Sequence, residues 1–155
     1  MCIRDRPETV DILSTHNNIV GIKEAVDSKE RIDDLIAISS KNQNFQLFSG
    51  DDPSFIKMIQ KGGDGVISVA ANVVPSKISE ICKLVEEKKH DEATFIDNTL
   101  SNLYDLLFIE SNPIPVKWML FKMNLIKNSI RLPLEELDEI YQEDIINEML
   151  KLKLI

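Results

Sequence analysis

The strongest constraint on the fold is a regular alternation of short apolar segments and amphipathic segments in the first half of the chain. The apolar segments are rich in β-branched or aromatic residues, which is typical of strands. Ser28 predicts the N-cap of a helix after the first segment, and Pro53 and Pro75 predict the first turns of two more. This order predicts parallel α/β units with right-handed crossovers. The predicted strands are residues 18–24, 45–49 and 65–69.

The second half of the chain has a helical pattern throughout. Apolar residues at three-to-four spacing predict one amphipathic helix from Ala93 to Leu107, and Pro133 predicts the start of a last helix. We therefore divide the chain into βα units over residues 7–89 and a helical region over residues 90–155. Three parallel strands cannot close a barrel, and an open parallel sheet needs cover on both faces. The sequence thus predicts the later portion of a larger α/β protein.

The charge and cysteine content narrows the function classes. The 155 residues include 26 acidic and 18 basic side chains, a net charge of −8, which argues against nucleic-acid or anionic-membrane partners. No apolar run approaches the roughly 20 residues that span a bilayer. Cys2 and Cys82 form neither a disulfide framework nor a metal-binding spacing. We expect a cytoplasmic protein without a metal or cofactor.

Lys23 is the strongest candidate for chemistry. Side chains alternate along a strand, so Ile19, Gly21 and Lys23 share one face. The carboxyl ends of parallel strands are where α/β enzymes build their active sites. A desolvated lysine there is a nucleophile that forms a Schiff base with a ketone. The alternative is a lysine that faces solvent or pairs with Glu24.

Other polar residues favour structural interpretations. Gly50 permits close backbone approach to a ligand, whereas Asp51 and Asp52 are interpreted as helix caps. The strand at 65–69 is dominated by core residues, although its end can offer a backbone carbonyl to a ligand. His16 and His90 are predicted to be surface residues. The segment 110–118 is predicted to connect the body rigidly to the helical region, with Trp118 in packing.

Five motifs follow one another along the chain. They are Asn18-Ile-Val-Gly-Ile-Lys-Glu-Ala25, Leu47-Phe-Ser-Gly-Asp-Asp52, Gly65-Val-Ile-Ser-Val69 with Ala71-Asn72, Glu110-Ser-Asn-Pro-Ile-Pro-Val-Lys-Trp118 and Ile130-Arg-Leu-Pro-Leu134. In this order they resemble one enzyme family, the 4-hydroxy-tetrahydrodipicolinate synthases (dihydrodipicolinate synthases), which are pyruvate-dependent class I aldolases. The resemblance extends from Pro7 to the C-terminus. The 110–118 segment favours this family over the related N-acetylneuraminate lyases.

The resemblance implies a (β/α)8 TIM barrel followed by a helical region, in a homotetramer. Its three strands would be the sixth, seventh and eighth of the barrel. The implied reaction condenses pyruvate with aspartate semialdehyde in the diaminopimelate route to lysine. Lys23 would form the Schiff base with pyruvate, Ile67 would contact pyruvate through its main chain, and Gly50 would line the pocket.

The chain also departs from the family pattern. Five barrel strands, the catalytic tyrosine, the threonine pair and the lysine-feedback site have no counterpart in it. Residues 1–6 do not match the family's Arg-Thr-Gly segment, so Arg4 and Arg6 inherit no carboxylate-binding role, and the hexapeptide is predicted to be foreign. We expect the isolated chain to be an inactive part of a lyase. The alternatives are a related aldolase of the N-acetylneuraminate lyase type, or a non-catalytic remnant that acts as a binding partner.

Overall fold

A computed structural model describes residues 5–155 of the chain. Residues 1–4, which include Arg4 and most of the predicted foreign segment, lie outside the described residues. The described part contains three β-strands and eight α-helices, with a short 3-10 helix at Ala70–Asn72. The strands are β1 (Gly21–Glu24), β2 (Gln46–Ser49) and β3 (Gly65–Val66).

The helices follow the strands in the predicted alternation and then continue alone. Ser28 caps α2, because its side chain accepts a hydrogen bond of 3.3 Å from the Arg31 backbone N–H. Pro7 and Pro75 occupy the first turns of their helices, where a missing N–H costs nothing. The helices are α1 (Pro7–Ser14), α2 (Lys29–Lys41), α3 (Phe55–Gln60), α4 (Pro75–Glu86), α5 (His90–Thr99), α6 (Ser101–Leu107), α7 (Ile114–Lys122) and α8 (Glu139–Lys151).

The three strands form one parallel sheet in the order β1-β2-β3, as the sequence predicts. Lys23 lies opposite Phe48, and Phe48 lies opposite Gly65. Since side chains alternate along each strand, these three residues share one face of the sheet. The Gly50 N–H donates to the Glu24 carbonyl at 2.8 Å and extends the ladder past the end of β2.

The two faces of the sheet differ in burial. Glu24, Leu47 and Ser49 point to the face that α2 and α3 cover, and all three are buried. On the opposite face Lys23 is exposed and Phe48 is half-buried. Residues 5–155 therefore cover one face of the sheet and leave the other open.

Two apolar cores hold the elements together. The smaller joins α1 and α2 to β2 through residues such as Val10, Leu35 and Leu47. The larger runs from Phe55 in α3 to Met149 in α8 and continues without a break across residue 90. The division of the chain at residue 90 stays a prediction. No helix among residues 5–155 combines the length and the apolar character needed to cross a bilayer.

Two helix predictions in the second half are wrong in detail. The single helix predicted from Ala93 to Leu107 is two helices that meet at Leu100, whose side chain is buried. The last helix begins at Glu139 instead of Pro133. Asp138 is its N-cap, since the Asp138 carboxylate accepts a hydrogen bond of 3.0 Å from the Ile140 N–H.

Two predictions around β3 also need correction. The strand ends at Val66 instead of Val69, because the chain turns into the 3-10 helix. Asp52 does not cap α3, whose N-cap Ser54 forms no side-chain cap bond. The Asp52 carboxylate instead accepts hydrogen bonds from the Val69 and Ala70 N–H groups, at 3.0 Å each. This carboxylate therefore binds the start of the 3-10 helix after β3.

Candidate active site

Lys23 lies at the carboxyl end of β1, on the open face of the sheet. Its side chain is exposed, so the described residues do not desolvate it as the sequence analysis expects of a Schiff-base lysine. Among residues 5–155 no carboxylate forms a salt bridge with Lys23. The amine is thus available to a ligand on that face.

Gly50 leaves room for the Lys23 side chain to cross the end of β2. An ideal Cβ placed on Gly50 would lie 3.0 Å from Lys23 Cγ, 3.2 Å from Cδ and closer still to Cε. Contacts below about 3.4 Å are tighter than carbon atoms at their optimal separation. Any larger residue at position 50 would therefore displace the lysine. The close neighbour of Gly50 in residues 5–155 is thus the Lys23 side chain, and the approach of a ligand to Gly50 stays a prediction.

Glu24 takes no part in the surroundings of the amine. Its carboxylate is buried on the opposite face, where Glu24 Oε2 lies 2.8 Å from Arg31 Nε. Glu24 Oε1 accepts a hydrogen bond of 2.9 Å from the Ala25 N–H. The alternative in which Lys23 pairs with Glu24 is therefore wrong. The Glu24–Arg31 pair instead ties the end of β1 to the first turn of α2.

Ile67 follows β3 directly and lies next to Gly50 when the strand register is continued by one residue. The Ile67 N–H donates to the Ser49 carbonyl at 2.8 Å. The Ile67 carbonyl accepts no hydrogen bond from residues 5–155. The Ile67 side chain is 51% exposed on the open face. Of the two main-chain polar groups at Ile67, the carbonyl is the one left for a ligand.

The fold thus brings Lys23, Gly50 and Ile67 to the same face and the same end of the sheet. Lys23 and Ile67 lie two strand intervals apart, each about 4.8 Å. Phe48 lies between them on this face, is half-buried, and is not among the predicted site residues. The alternation of strand residues is the signal that identifies it, since Phe48 is two residues before Gly50 and therefore on the same face.

The other predicted residues lie elsewhere or in the core. His16 and His90 are exposed, as predicted. Trp118 is buried in the larger core, and Lys122 Nζ lies 5.2 Å from the centre of its ring. Asp51 accepts a hydrogen bond from the Ser54 hydroxyl and so acts within its own loop. Within residues 5–155 no three His, Cys, Asp or Glu side chains are grouped as metal ligands.

Comparison with known proteins agrees with this geometry. Residues 5–152 match the model of the dihydrodipicolinate synthetase family. The chain is 45% identical over 135 residues to 4-hydroxy-tetrahydrodipicolinate synthase of Saccharophagus degradans, covering 87% of this chain and 46% of that protein.

Solved structures of the same family resemble the fold closely. Chloride-inhibited dihydrodipicolinate synthase from Acinetobacter baumannii, in complex with pyruvate, is 39% identical with a TM-score of 0.88, over 96% of this chain and 50% of that one. A monomeric dihydrodipicolinate synthase variant is 34% identical with a TM-score of 0.92, over 96% and 50% of the two chains.

The chain therefore spans about half the length of the relatives that it matches. The family model nevertheless covers nearly all of it, and the parallel strands and C-terminal helices superpose on solved members. This chain belongs to the dihydrodipicolinate synthetase family.

Proposed function

We propose that this chain is the C-terminal half of a 4-hydroxy-tetrahydrodipicolinate synthase, a lyase of lysine and diaminopimelate biosynthesis. It would supply the last three strands of a TIM barrel and the helical region that follows. One observation carries the proposal: Lys23 lies on the open face at the carboxyl end of a parallel strand, and Gly50 leaves room for its side chain. The 46% coverage of a relative with this activity supports the division into halves.

Lys23 is the proposed nucleophile toward pyruvate. Its Nζ attacks the keto carbon, a C–N bond forms, and water leaves to give a protonated Schiff base. Loss of a proton from the methyl carbon then produces an enamine, which attacks the aldehyde carbon of aspartate semialdehyde. Cyclisation of the product displaces the lysine and regenerates the free amine. The pyruvate complex of the Acinetobacter baumannii relative supports pyruvate as the first substrate.

Ile67 is the proposed main-chain contact of the bound pyruvate. Its N–H already donates to Ser49, which leaves the carbonyl oxygen as the group that faces the ligand. A carbonyl can only accept a hydrogen bond. We therefore propose that the Ile67 carbonyl accepts a hydrogen bond from the reacting centre. The donor is the hydroxyl of the carbinolamine or the N–H of the protonated Schiff base.

The proposal extends to assembly and location. We propose a cytoplasmic enzyme that works as a homotetramer, with pyruvate and aspartate semialdehyde as its small-molecule partners and no nucleic acid or membrane. One relative is a monomeric variant, so the assembly state needs its own measurement. Sedimentation velocity of the complete enzyme decides between tetramer and monomer.

Turnover by the complete enzyme that contains this chain tests the proposed reaction. We expect consumption of pyruvate only when aspartate semialdehyde is present, and loss of turnover in Lys23→Arg, which keeps the charge but not the nucleophilic amine. N-acetylneuraminate serves as the control substrate for the related aldolases. Cleavage of N-acetylneuraminate without synthase turnover would overturn the substrate assignment. Full turnover in Lys23→Arg would overturn the role of Lys23.

A further inference from the structure

Asp52 is a buried acidic residue that the proposed reaction does not use. It follows Gly50 by two residues and is 1% exposed. Buried carboxylates are rare unless they are paired or hydrogen-bonded, because the charged form loses its hydration. Asp52 has no basic partner among residues 5–155. An ion pair within residues 5–155 therefore does not explain why the Asp52 carboxylate is buried.

The two oxygens of the Asp52 carboxylate differ in their surroundings. Oδ2 accepts hydrogen bonds from the Val69 and Ala70 N–H groups, both at 3.0 Å. Oδ1 is buried and has no hydrogen-bond partner among the described residues. Burial disfavours the charged form of this carboxyl and raises its pKa above the ordinary value, although the hydrogen bonds from the Val69 and Ala70 N–H groups favour the charged form. An apolar residue would avoid this cost but could not bind the two N–H groups.

The bonds to Val69 and Ala70 fix the segment that carries Ile67. On its strand side, the Ile67 N–H is bound to the Ser49 carbonyl at 2.8 Å. On its other side, Asp52 holds the N–H groups two and three residues further on. Both anchors belong to the end of β2 and the loop after it, beside the Gly50–Lys23 contact. The Ile67 carbonyl is thus held from both directions while it stays free of intramolecular hydrogen bonds within residues 5–155.

We propose that Asp52 is a positioning residue that holds the Ile67 carbonyl in place for pyruvate bound to Lys23. This assignment rests on the proposed function. It adds that pyruvate binding needs a fixed Ile67 carbonyl as well as the Lys23 amine. The hydrogen bonds of Asp52 within residues 5–155 go to the backbone, and it forms no salt bridge with Lys23. It acts through the backbone from Ile67 to Ala70, so its loss weakens pyruvate binding more than it slows the chemistry of pyruvate once bound.

Two substitutions in the complete enzyme test the assignment. Asp52→Ala removes the acceptor, whereas Asp52→Asn keeps an amide oxygen that can accept both bonds. We expect Asp52→Ala to raise the KM for pyruvate at least about tenfold, since a hydrogen bond to a charged group contributes such a factor or more. Asp52→Asn should raise it less, and the KM for aspartate semialdehyde and kcat at saturating pyruvate should change little in both variants.

Asp64→Asn is the matched control. Asp64 Oδ2 also accepts from a backbone N–H, that of Leu47 at 2.7 Å, and also links β2 to β3, but at the amino end of the strands. This variant should leave the KM for pyruvate unchanged. Equal effects of Asp52→Asn and Asp64→Asn on KM and on thermal stability would show that Asp52 only supports the fold, and would overturn the proposal.

Amide hydrogen exchange provides a readout that does not depend on activity. The Val69 and Ala70 amides should exchange at least about tenfold faster in Asp52→Ala than in the parent enzyme, and by a smaller factor in Asp52→Asn, which keeps an acceptor. Unchanged exchange there overturns the proposal, as does faster exchange with an unchanged KM for pyruvate. If the parent enzyme forms no Schiff base with pyruvate, the proposed function fails, and the exchange result still reports whether Asp52 holds this segment.

Discussion

At the scale of single residues, the contact between Lys23 and Gly50 links the sequence motif to the chemistry. The lysine side chain lies where a Cβ of residue 50 would be. Gly50 is therefore required for the room that it leaves to Lys23 and not for its own backbone conformation. Among the glycines of residues 5–155, Gly62 is the one that has a positive φ, 110°. A substitution at Gly50 should thus displace the Lys23 amine with little effect on the stability of the fold.

Gly50→Ala in the complete enzyme should fold normally but form the Schiff base poorly. The added Cβ meets flexible side-chain carbons of Lys23, so the loss of stability should stay below about 1 kcal/mol. Displacement of the amine by about 1 Å should lower the rate of Schiff-base formation on the order of 100-fold. Stopped-flow mixing with pyruvate measures this rate.

Gly65→Ala is the control for that measurement. A Cβ on Gly65 meets Phe48 ring carbons at 3.5 Å, which is ordinary van der Waals contact on the same face of the sheet. Its rate of Schiff-base formation should stay within a few-fold of the parent rate. If Gly50→Ala reacts as fast as Gly65→Ala, the Lys23 side chain does not need the space above Gly50.

At the scale of the elements, most of the strand–helix order follows from the sequence. The parallel sheet, the Ser28 cap and the start of α4 at Pro75 are confirmed. The prediction that Pro53 lies in the first turn of a helix is wrong, because α3 begins at Phe55. Local signals suffice for the cap and for the start of α4 because each acts within one turn of the chain. Lys23 and Ile67 were likewise placed at strand ends from local pattern and resemblance, and their roles stay predictions.

The features that the sequence did not predict depend on distant contacts. β3 ends at Val66 because a carboxylate 17 residues before Val69 binds its N–H. The bend between α5 and α6 keeps the apolar spacing intact through Leu100, so periodicity alone cannot reveal it. Pro133 predicts a start of α8 that is too early, whereas Asp138 is the N-cap residue and carries the stronger signal.

Gly21→Ala should destabilise the sheet itself. A Cβ at Gly21 would lie 2.6 Å from the Gln46 carbonyl oxygen, a backbone atom that cannot move without shifting β2. We expect a loss of roughly 1–3 kcal/mol in the free energy of unfolding, the usual range for overpacking. Urea unfolding of the complete enzyme measures it, with Gly65→Ala as the control. Equal midpoints for the two variants would contradict the register of β1 and β2.

At the scale of the whole molecule, the sheet has one covered and one open face within residues 5–155. Apolar side chains remain accessible on the open face: Ile67 is 51% exposed and Phe48 is half-buried, beside the exposed Lys23. Apolar surface of this kind marks a site of association. In the proposed enzyme, the remaining half of the barrel covers it.

The 155-residue chain expressed alone should therefore associate or stay partly molten. We expect a broad distribution in sedimentation velocity, binding of a hydrophobic dye and no sharp thermal transition, because the open face of the sheet lacks a partner. The complete enzyme, measured in parallel, should sediment as one species. A monodisperse, cooperatively unfolding 155-residue chain would favour the non-catalytic binding protein over the half-enzyme.

The central claim, that Lys23 is the residue that captures pyruvate, is tested most directly by trapping the Schiff base. The complete enzyme is reduced with borohydride in the presence of pyruvate, digested, and searched by mass spectrometry for N-carboxyethyl-lysine. The hydride adds to the imine carbon, so the modified residue keeps the pyruvate carbons. We predict one modified lysine, Lys23, and no adduct in Lys23→Arg. An adduct on another lysine, or none in the parent enzyme, would contradict the account.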